Sequence, residues 1–366
     1  MEEFLSEQEA QTITNKCSGC GATMDYDIVS GNLKCGHCGT TQQIEADDHI
    51  ERRQMTDIII KERDKWTESS VFRCDGCGAK EVLDKKEISK RCPFCDSPNV
   101  VGTEELPGIK PDSVIPFQIT MDAATERFRM WLKRKWLVPR IFKTADIRER
   151  LNAIYCSTWS FAATTENRYS GTLGRRVQTS YQTRNSQGQM VTRYRTQIRW
   201  FRVSGQMREV YTDYIVQSGD KISAIMFSKI KPFDLKLIKV YRQEYLSGII
   251  AEHYTRNLEL CFGDFSNYIR QDLRRKIMRK HNADCVQSLD IKTNYTDRKF
   301  NYILLPIYIA NYVYNKRNFN FYVNGASGVV VGKYPKSKLK IALLTFGIGI
   351  LVVGAAIGAY FAGVFE

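Results

Sequence analysis

The spacing of hydrophobic positions changes along this chain, and each change predicts a different kind of structure. From Ile154 to Gln217 polar and apolar residues alternate, most regularly over residues 189–203. Successive side chains of a strand point to opposite faces, so this alternation predicts an antiparallel sheet with one solvated face. Breaks between its strands are expected at four glycines, Gly171, Gly174, Gly188 and Gly205.

Other stretches have the three- and four-residue spacing of an amphipathic helix. Between Asp122 and Trp136, the apolar residues Phe128, Trp131 and Leu132 share one face, and three basic residues follow them. This stripe predicts a helix packed on a core, with cations suited to its C-terminus. The same spacing predicts three further helices, over Ile44–Trp66, Leu246–Thr255 and Asp264–Lys280.

Strand-like runs return after these helices, over Tyr302–Tyr314, Phe319–Val323 and Val329–Val331. The pair Asn324-Gly325 suits the positive φ angles of a two-residue hairpin turn, so the last two strands are expected to form a hairpin. Because helices and strands occur in separate blocks, the sequence predicts an α+β domain with an antiparallel sheet.

A long apolar run follows this domain. Ile341–Val364 contains no charged residue and no proline. At 1.5 Å per residue it rises about 36 Å, more than the roughly 30 Å hydrocarbon thickness of a bilayer. The sequence therefore predicts one C-terminal transmembrane helix, a tail anchor.

Four lysines precede the apolar run and set its expected orientation. Positively charged flanks stay on the cytoplasmic side, so we expect a single-pass protein of the cell membrane with the bulk of the chain in the cytoplasm. The same ammonium groups are expected to meet anionic lipid headgroups. They are Lys333, Lys336, Lys338 and Lys340.

Gly354 and Gly358 form a GxxxG pattern within the predicted transmembrane helix. This spacing allows two helices to approach closely, which would make the chain a homodimer through the membrane. Glycine is also simply tolerated in membrane helices, and the sequence leaves both interpretations open.

Eight cysteines near the N-terminus form two copies of one pattern, CxxC, fourteen residues, CxxC, placed 57 residues apart. Each CxxC turn aims two thiolates at one point, and two such turns supply the four ligands of a structural zinc site. Gly21 and Gly78 follow the first turn of each copy, where the chain must bend around the metal. The predicted zinc ligands are Cys17, Cys20, Cys35 and Cys38 in one site, and Cys74, Cys77, Cys92 and Cys95 in the other.

Disulfides and redox-active CxxC pairs are the alternatives. Disulfide frameworks suit small secreted chains, whereas residues 1–16 are polar and acidic and do not read as a signal peptide. Two four-ligand sets favour metal over redox chemistry. We expect two structural Zn²⁺ ions, His37 as a bystander, and ordinary thiols at Cys156, Cys261 and Cys285.

These assignments divide the chain into six expected segments. They are zinc ribbon 1 over 1–43, a helical linker over 44–69, zinc ribbon 2 over 70–104, a basic α+β domain over 105–332, a basic juxtamembrane segment over 333–340, and the transmembrane helix over 341–364.

Positive charge is concentrated in one part of the chain. The net charge is +14, and residues 121–242 alone hold 24 Lys and Arg against 9 Asp and Glu. Arginines at positions 193, 195, 199 and 202 alternate with Tyr194, Trp200 and Phe201. This pattern suits either contact with nucleic acid or the wet face of a sheet.

Four motifs follow the two predicted ribbons along the chain. They are Lys110-Pro-Asp-Ser-Val-Ile-Pro-Phe117, Trp136-Leu-Val-Pro-Arg-Ile-Phe142, Leu304-Leu-Pro-Ile-Tyr308 and the glycine-rich run 323–332. In these motifs and their order the chain resembles bacterial membrane-anchored zinc-ribbon proteins, often labelled TFIIB-type zinc ribbon or primosomal helicase-like. Some such proteins are similar to partners of phage-shock and flotillin-like (SPFH) proteins. The resemblance implies a membrane platform in envelope stress and no catalytic residues.

The sequence contains no signature of an enzyme. The Gly-Lys pair at 332–333 is followed by tyrosine and not by the Ser or Thr of a P-loop, and none of the four histidines lies in a zincin motif. We therefore expect a non-enzyme. Two hypotheses remain, a membrane-tethered adaptor that recruits cytosolic proteins, and a membrane-held nucleic-acid-binding protein that uses the zinc ribbons and the basic segment 121–242.

Overall fold

A computed structural model describes residues 16–45, 50–55, 70–74, 80–83, 100–102, 109–139, 151–314 and 317–361. These residues form an α+β fold, as the sequence predicts. The helices are α1 Met121–Lys133, α2 Ala224–Ile230, α3 Leu258–Lys280 and α4 Lys338–Phe361. Short 3₁₀ turns lie at Leu235–Leu237 and Gln243–Leu246.

The strands range from two residues to more than thirty. In chain order they are β1 Met24–Asp27, β2 Asn32–Cys35, β3 Thr41–Gln42, β4 Arg53–Gln54, β5 Ser70–Cys74, β6 Lys80–Leu83, β7 Val100–Gly102, β8 Ser113–Val114, β9 Leu151–Arg184, β10 Met190–Gln217, β11 Lys239–Val240, β12 Ile250–Glu252, β13 Cys285–Tyr314, β14 Arg317–Asn324 and β15 Val330–Gly332.

The strands form one small sheet and one large sheet. The small sheet has the order β1-β2-β3 and is antiparallel. The large sheet is built around β13 and β9, which pair along most of their length. It is mixed, because β12 runs parallel to β9 and β8 runs parallel to β13.

One end of the large sheet is covered on both faces, and we call it the base. Along β13, Tyr302, Leu304 and Tyr308 belong to one core, whereas Ile303 and Leu305 belong to another on the opposite face. Helices α1 and α3 cover the first face and α2 covers the second. A strand buried on both faces needs a continuous apolar run, which explains the sequence of β13 here.

The other end of the sheet extends from the base as a long arm of β9, β10 and β13. Helix α3 lies along one face of this arm and buries Phe265, Ile269, Leu273 and Ile277 at four-residue spacing. At 34 residues, β9 rises about 110 Å along its length, at roughly 3.3 Å per residue. The sequence predicted strands in this region, but not their length.

The predicted breaks at Gly171, Gly174 and Gly205 are wrong, and only Gly188 lies in a turn. A Cβ atom at Gly171 would approach Ser288 O within 2.3 Å, and one at Gly205 would meet the ring of Tyr169 within 2.8 Å. These glycines allow neighbouring groups to lie against the strand, whereas Gly188 supplies a positive φ.

The helix predicted over residues 246–255 is also wrong. A 3₁₀ turn ends at Leu246, and Ile250–Glu252 forms β12 between β9 and β6. Pairing on both edges satisfies the backbone of these residues, and this tertiary context overrides their local helical spacing. The helices predicted over 122–136 and 264–280 are confirmed as α1 and α3.

Two smaller predictions change as well. Asn324 and Gly325 do not form a two-residue turn, because β14 and β15 are joined by residues 325–329. The Asn324 Oδ1 atom instead accepts hydrogen bonds from the backbone N–H groups of Ala326 and Ser327. Within the predicted linker helix, Arg53–Gln54 is a strand that pairs with β13, and most of the linker lies outside the described residues.

Candidate metal centre and membrane segment

The first cysteine set forms a compact cluster of four sulfur atoms. All four ligand atoms lie within 4.8 Å of one another, with Cys17 Sγ 3.3 Å from Cys38 Sγ and Cys20 Sγ 3.5 Å from Cys35 Sγ. A tetrahedral ion with metal–sulfur bonds of about 2.3 Å needs sulfur atoms about 3.8 Å apart. The four thiols therefore have the spacing of a closed metal site, and the structure joins none of them in a disulfide.

Local backbone geometry produces this cluster. Two turns close with hydrogen bonds from Gly21 N to Cys17 O and from Gly39 N to Cys35 O, and both glycines have positive φ. A side chain other than glycine would be strained in this conformation. The sharp bend predicted at Gly21 is confirmed, and His37 is exposed and not part of the cluster.

Hydrogen bonds favour the ionised form of part of the cluster. The Thr40 hydroxyl and amide lower the pKa of Cys38 to about 6, and the amide of Cys20 lowers the pKa of Cys17. At Cys20 the Ala22 amide favours the thiolate, but the neighbouring sulfurs outweigh it and the pKa rises to about 12. Four thiolates repel one another at this distance, and a bound cation removes that cost.

Thr40 was not predicted as part of the site. Its Oγ1 atom lies 3.1 Å from Cys38 Sγ, the contact expected of a residue that orients a ligand from outside the coordination shell. A threonine two residues after the last cysteine is the only signal that the sequence offers for this role.

The cluster is fixed to the large domain. Tyr26 of β1 packs edge to face against Tyr245 with ring centroids 5.5 Å apart, and its N–H donates to Ser247 O at 3.1 Å. Cys17, Met24 and Leu33 are buried in the same core as the base of the sheet. The segment that carries the four cysteines and the large sheet therefore share one hydrophobic core.

The second cysteine set is not assembled in the described part of the chain. Cys74 ends β5, whereas Cys77, Cys92 and Cys95 lie outside the described residues, as does Gly78. The strands of this segment extend the large sheet, since β6 pairs with β12. The second zinc site stays a prediction.

Helix α4 is long and apolar enough to cross a membrane. Its candidate span is Lys338–Ala359, with a mean hydropathy of 2.4, and none of it is buried against the rest of the chain. A core helix of a soluble domain would be covered by other elements, and this helix is not. Gly354 and Gly358 lie on it with no described atom of another element close to either.

One of the four flanking lysines has a role that the sequence did not predict. The ammonium group of Lys340 donates to Trp136 O at 2.8 Å and to Val138 O at 2.9 Å, just beyond α1. Ser337 N donates to Leu137 O nearby. Backbone carbonyls carry no sequence signal, so only the folded chain reveals this connection between α4 and the domain.

Three further cysteines of the described residues lie outside the cluster. Cys156 and Cys261 are buried and Cys285 is partly exposed. Cys156 donates its S–H to Glu252 Oε2 at 3.1 Å, and burial raises the pKa of Glu252 to about 7. No motif in the sequence marks this carboxyl group.

Comparison with known proteins adds one relative. The chain is 27% identical over 355 residues to the uncharacterized protein YdjG of Bacillus subtilis (strain 168), an alignment that covers 92% of this chain and 94% of the relative. No family model and no solved structure matches the chain. The similarity therefore covers most of both chains, and the relative's name describes no activity.

Proposed function

We propose that this protein is a membrane-tethered zinc-ribbon adaptor that recruits cytosolic proteins to the inner face of the cell membrane. The observation that carries the proposal is the exposed apolar helix α4, held to the folded domain through Lys340 and Ser337. Because the first turn of α4 is hydrogen-bonded to the folded domain, this helix would hold the domain at a fixed position on the membrane and would not act as a flexible tether.

Zinc is the metal that we assign to the cysteine cluster. Four thiolates in a tetrahedral arrangement suit Zn²⁺, and a set with four protein ligands leaves no open position for a substrate. The proposed role of the ion is therefore structural, to hold residues 16–45 folded against the domain. A second Zn²⁺ at Cys74, Cys77, Cys92 and Cys95 follows from the repeated spacing.

The lysines of the juxtamembrane segment support the proposed orientation. Lys333, Lys336 and Lys338 are exposed beside the first turn of α4, where they can meet anionic headgroups of the cytoplasmic leaflet. The cytoplasm also keeps thiols reduced, as a zinc site requires. By the resemblance to membrane-anchored zinc-ribbon proteins, we propose flotillin-like or phage-shock proteins as the partners, in the response to envelope stress.

The proposal is tested by exchanging the anchor. Three chains are compared in cells, the full-length protein, a chain that ends at Lys340, and a chain in which an unrelated single-pass helix replaces residues 341–364. Each is isolated with its partners by pull-down after nuclease treatment, and membrane and soluble fractions are analysed by mass spectrometry.

We expect the same partners with all three chains, at the membrane for the full-length and exchanged chains and in the soluble fraction for the truncated one. Partners that stay at the membrane without the anchor would contradict the tethering role. A pull-down that contains no specific protein would contradict recruitment itself.

A further inference from the structure

Within the described part of the chain, the end of the long arm beyond Gly174 is a bare two-stranded ribbon, which we define as residues 175–184 of β9 and 190–199 of β10. The third strand, β13, begins at Cys285 opposite Gly174, and α3 ends at the same level. The Arg175 guanidinium marks this level, since it donates to His281 O and Asn282 O just after α3. Beyond it, β9 and β10 pair only with each other among the described elements.

The ribbon and the adjoining parts of β9 and β10 contain arginine as their only charged residue, and the nearby Asp284 carboxylate accepts a hydrogen bond from the Arg176 backbone N–H at 2.7 Å. Residues 167–208 contain nine arginines, no lysine, and no aspartate or glutamate. None of these arginines forms an ion pair within the described residues. Arginines of like charge repel one another and do not stabilise the fold. Their concentration here is therefore suited to binding a polyanion.

The arginines occupy both faces of the ribbon. Arg193 and Arg199 lie on the face that continues from Leu173 and Val203, which pack against α3. Arg176 and Arg184 lie on the opposite face, opposite Ile198 and Met190 of the neighbouring strand. All four side chains are exposed.

Exposed aromatic residues accompany the arginines on the second face. Tyr194 and Trp200 lie on β10 with 70% and 45% of their surface exposed. The Trp200 ring lies directly over Gly174, where a Cβ atom would approach it within 2.7 Å. Planar side chains of this kind can contact sugars and bases beside phosphate groups.

Charge on both faces distinguishes between polyanions. A membrane surface or a flat acidic protein would meet one face and leave the other unmatched. The groove of a duplex has a phosphate wall on each side, and the DNA major groove, about 12 Å wide, admits a two-stranded ribbon. The major groove of duplex RNA is too narrow for such an element.

The position of the ribbon also disfavours lipid. Helix α4 starts near the base, since Tyr334 contacts Trp131 and Trp131 contacts Phe321, which pairs with Ala310 opposite Leu151. From Leu151 to Arg175 the strand rises about 80 Å, at roughly 3.3 Å per residue. The ribbon is thus at the far end of the arm from the membrane segment.

We propose that the bare ribbon binds duplex DNA by entering its major groove, with Arg176 and Arg184 facing one phosphate wall and Arg193 and Arg199 facing the other. This assigns the nucleic-acid alternative, left open by the sequence, to a single element. This proposal does not depend on the adaptor role. Protein partners are identified after nuclease has removed nucleic acid, whereas DNA binding is measured separately, so either proposal can fail without the other.

The test uses the full-length protein in discs of uncharged lipid and a fluorescent 20-base-pair DNA duplex, with binding followed by anisotropy at several salt concentrations. Two double variants are made, one for each face of the ribbon. The first combines Arg193→Gln with Arg199→Gln, and the second combines Arg176→Gln with Arg184→Gln. The matched control is Arg270→Gln with Arg274→Gln, which removes two exposed charges from α3. Thermal unfolding of each variant checks that the fold is kept.

Both ribbon variants should weaken binding, and each should reduce the slope of log K against log salt by about 1.8, at about 0.9 per lost phosphate contact. The control should change neither value. Loss of affinity in only one ribbon variant, or equal loss in the control, would overturn groove binding. Binding to single strands, duplex RNA or anionic vesicles in place of DNA would overturn the assigned ligand.

Discussion

At the scale of single residues, replacing one of the four clustered thiols should disrupt the folding of the segment around it. Replacing Cys17 with serine removes one of four ligands and leaves the others in a site that no longer closes. Because metal binding and folding of such a segment are one process, residues 16–45 should unfold.

The measurement is the zinc content of the purified protein together with amide exchange over residues 16–45. We expect Cys17→Ser to bind one Zn²⁺ fewer per chain and to lose protection there. Cys285→Ser is the control, since this thiol lies in β13, outside the cluster. An unchanged zinc content in Cys17→Ser would show that the cluster is not a metal site.

Glu252 is the residue from which we expect a pH dependence of stability. It is fully buried beside Cys156, and burial raises its pKa from 4.5 to about 7, with smaller opposing electrostatic effects from Asp220 and Lys221. The raised pKa means that the folded state holds the proton more tightly than the unfolded state. This stabilisation is complete below pH 4.5 and is lost as the pH rises to about 7.

The rise in the pKa of Glu252 from 4.5 to about 7 should lower the free energy of unfolding by about 3 kcal/mol over this pH interval, at 1.36 kcal/mol per pKa unit. Glu252→Gln keeps the shape and the contact with Cys156 but cannot ionise. We expect the free energy of unfolding of the wild type to fall relative to the variant across this interval, measured by denaturant unfolding at pH 5 and pH 7. A constant difference between the two proteins would contradict a neutral buried carboxyl group.

At the scale of elements, two glycines predict opposite effects of the same substitution. A Cβ atom at Gly171 in β9 would lie 2.3 Å from Ser288 O, at the point where the pairing of β9 with β13 is irregular. Gly263 in α3 has open space around it. Only the first glycine is required by a close approach of backbone.

Gly171→Ala should therefore lower the free energy of unfolding by about 1–3 kcal/mol, because β13 must shift. Gly263→Ala should raise it by about 1 kcal/mol, since alanine is the better helix former. Thermal or denaturant unfolding of the pair checks both signs in one experiment. Equal effects would mean that β9 and β13 do not pair closely at this level.

The elements differ in how far the sequence predicts them. Helices α1 and α3 follow from apolar stripes that need only one surface to pack on, and the alternation in β9 and β10 predicts strands. Strand β12 does not follow from its sequence, because its conformation depends on β9 and β6 on either side. The continuous strands through Gly171 and Gly205 depend on side chains far away in sequence.

At the scale of the whole molecule, Lys340 connects the apolar helix to the folded domain. Its two hydrogen bonds to Trp136 O and Val138 O are each worth about 1.5–3 kcal/mol for a charged donor, before the cost of ordering the side chain. Replacing Lys340 with methionine keeps an unbranched side chain that is one atom shorter, and it removes both hydrogen bonds.

We expect Lys340→Met to increase amide exchange over residues 131–139 in the full-length protein in micelles. Membrane insertion should not change, because the apolar span is intact. Lys338→Met is the matched control, as this exposed lysine precedes it by half a turn. If both variants exchange alike, α4 is not held to the domain through Lys340.

The sequence by itself determined the features that depend on composition and local spacing. The run from Ile341 to Val364 predicts a membrane-crossing helix wherever the rest of the chain lies, because transfer into lipid depends on its own side chains. The spacing of Cys17, Cys20, Cys35 and Cys38 predicts one cluster. Each CxxC turn already brings two sulfur atoms together, so a single contact between the two turns assembles all four.

Only the tertiary structure decided what lies next to what. It placed the Lys340 ammonium on backbone carbonyls of residues 136 and 138, which have no signature in the sequence. It also placed the end of α3 and the start of β13 at the same level of β9, which leaves a ribbon with arginines on both faces. Charge, periodicity and motif spacing act over a few residues, whereas these contacts join residues more than a hundred positions apart.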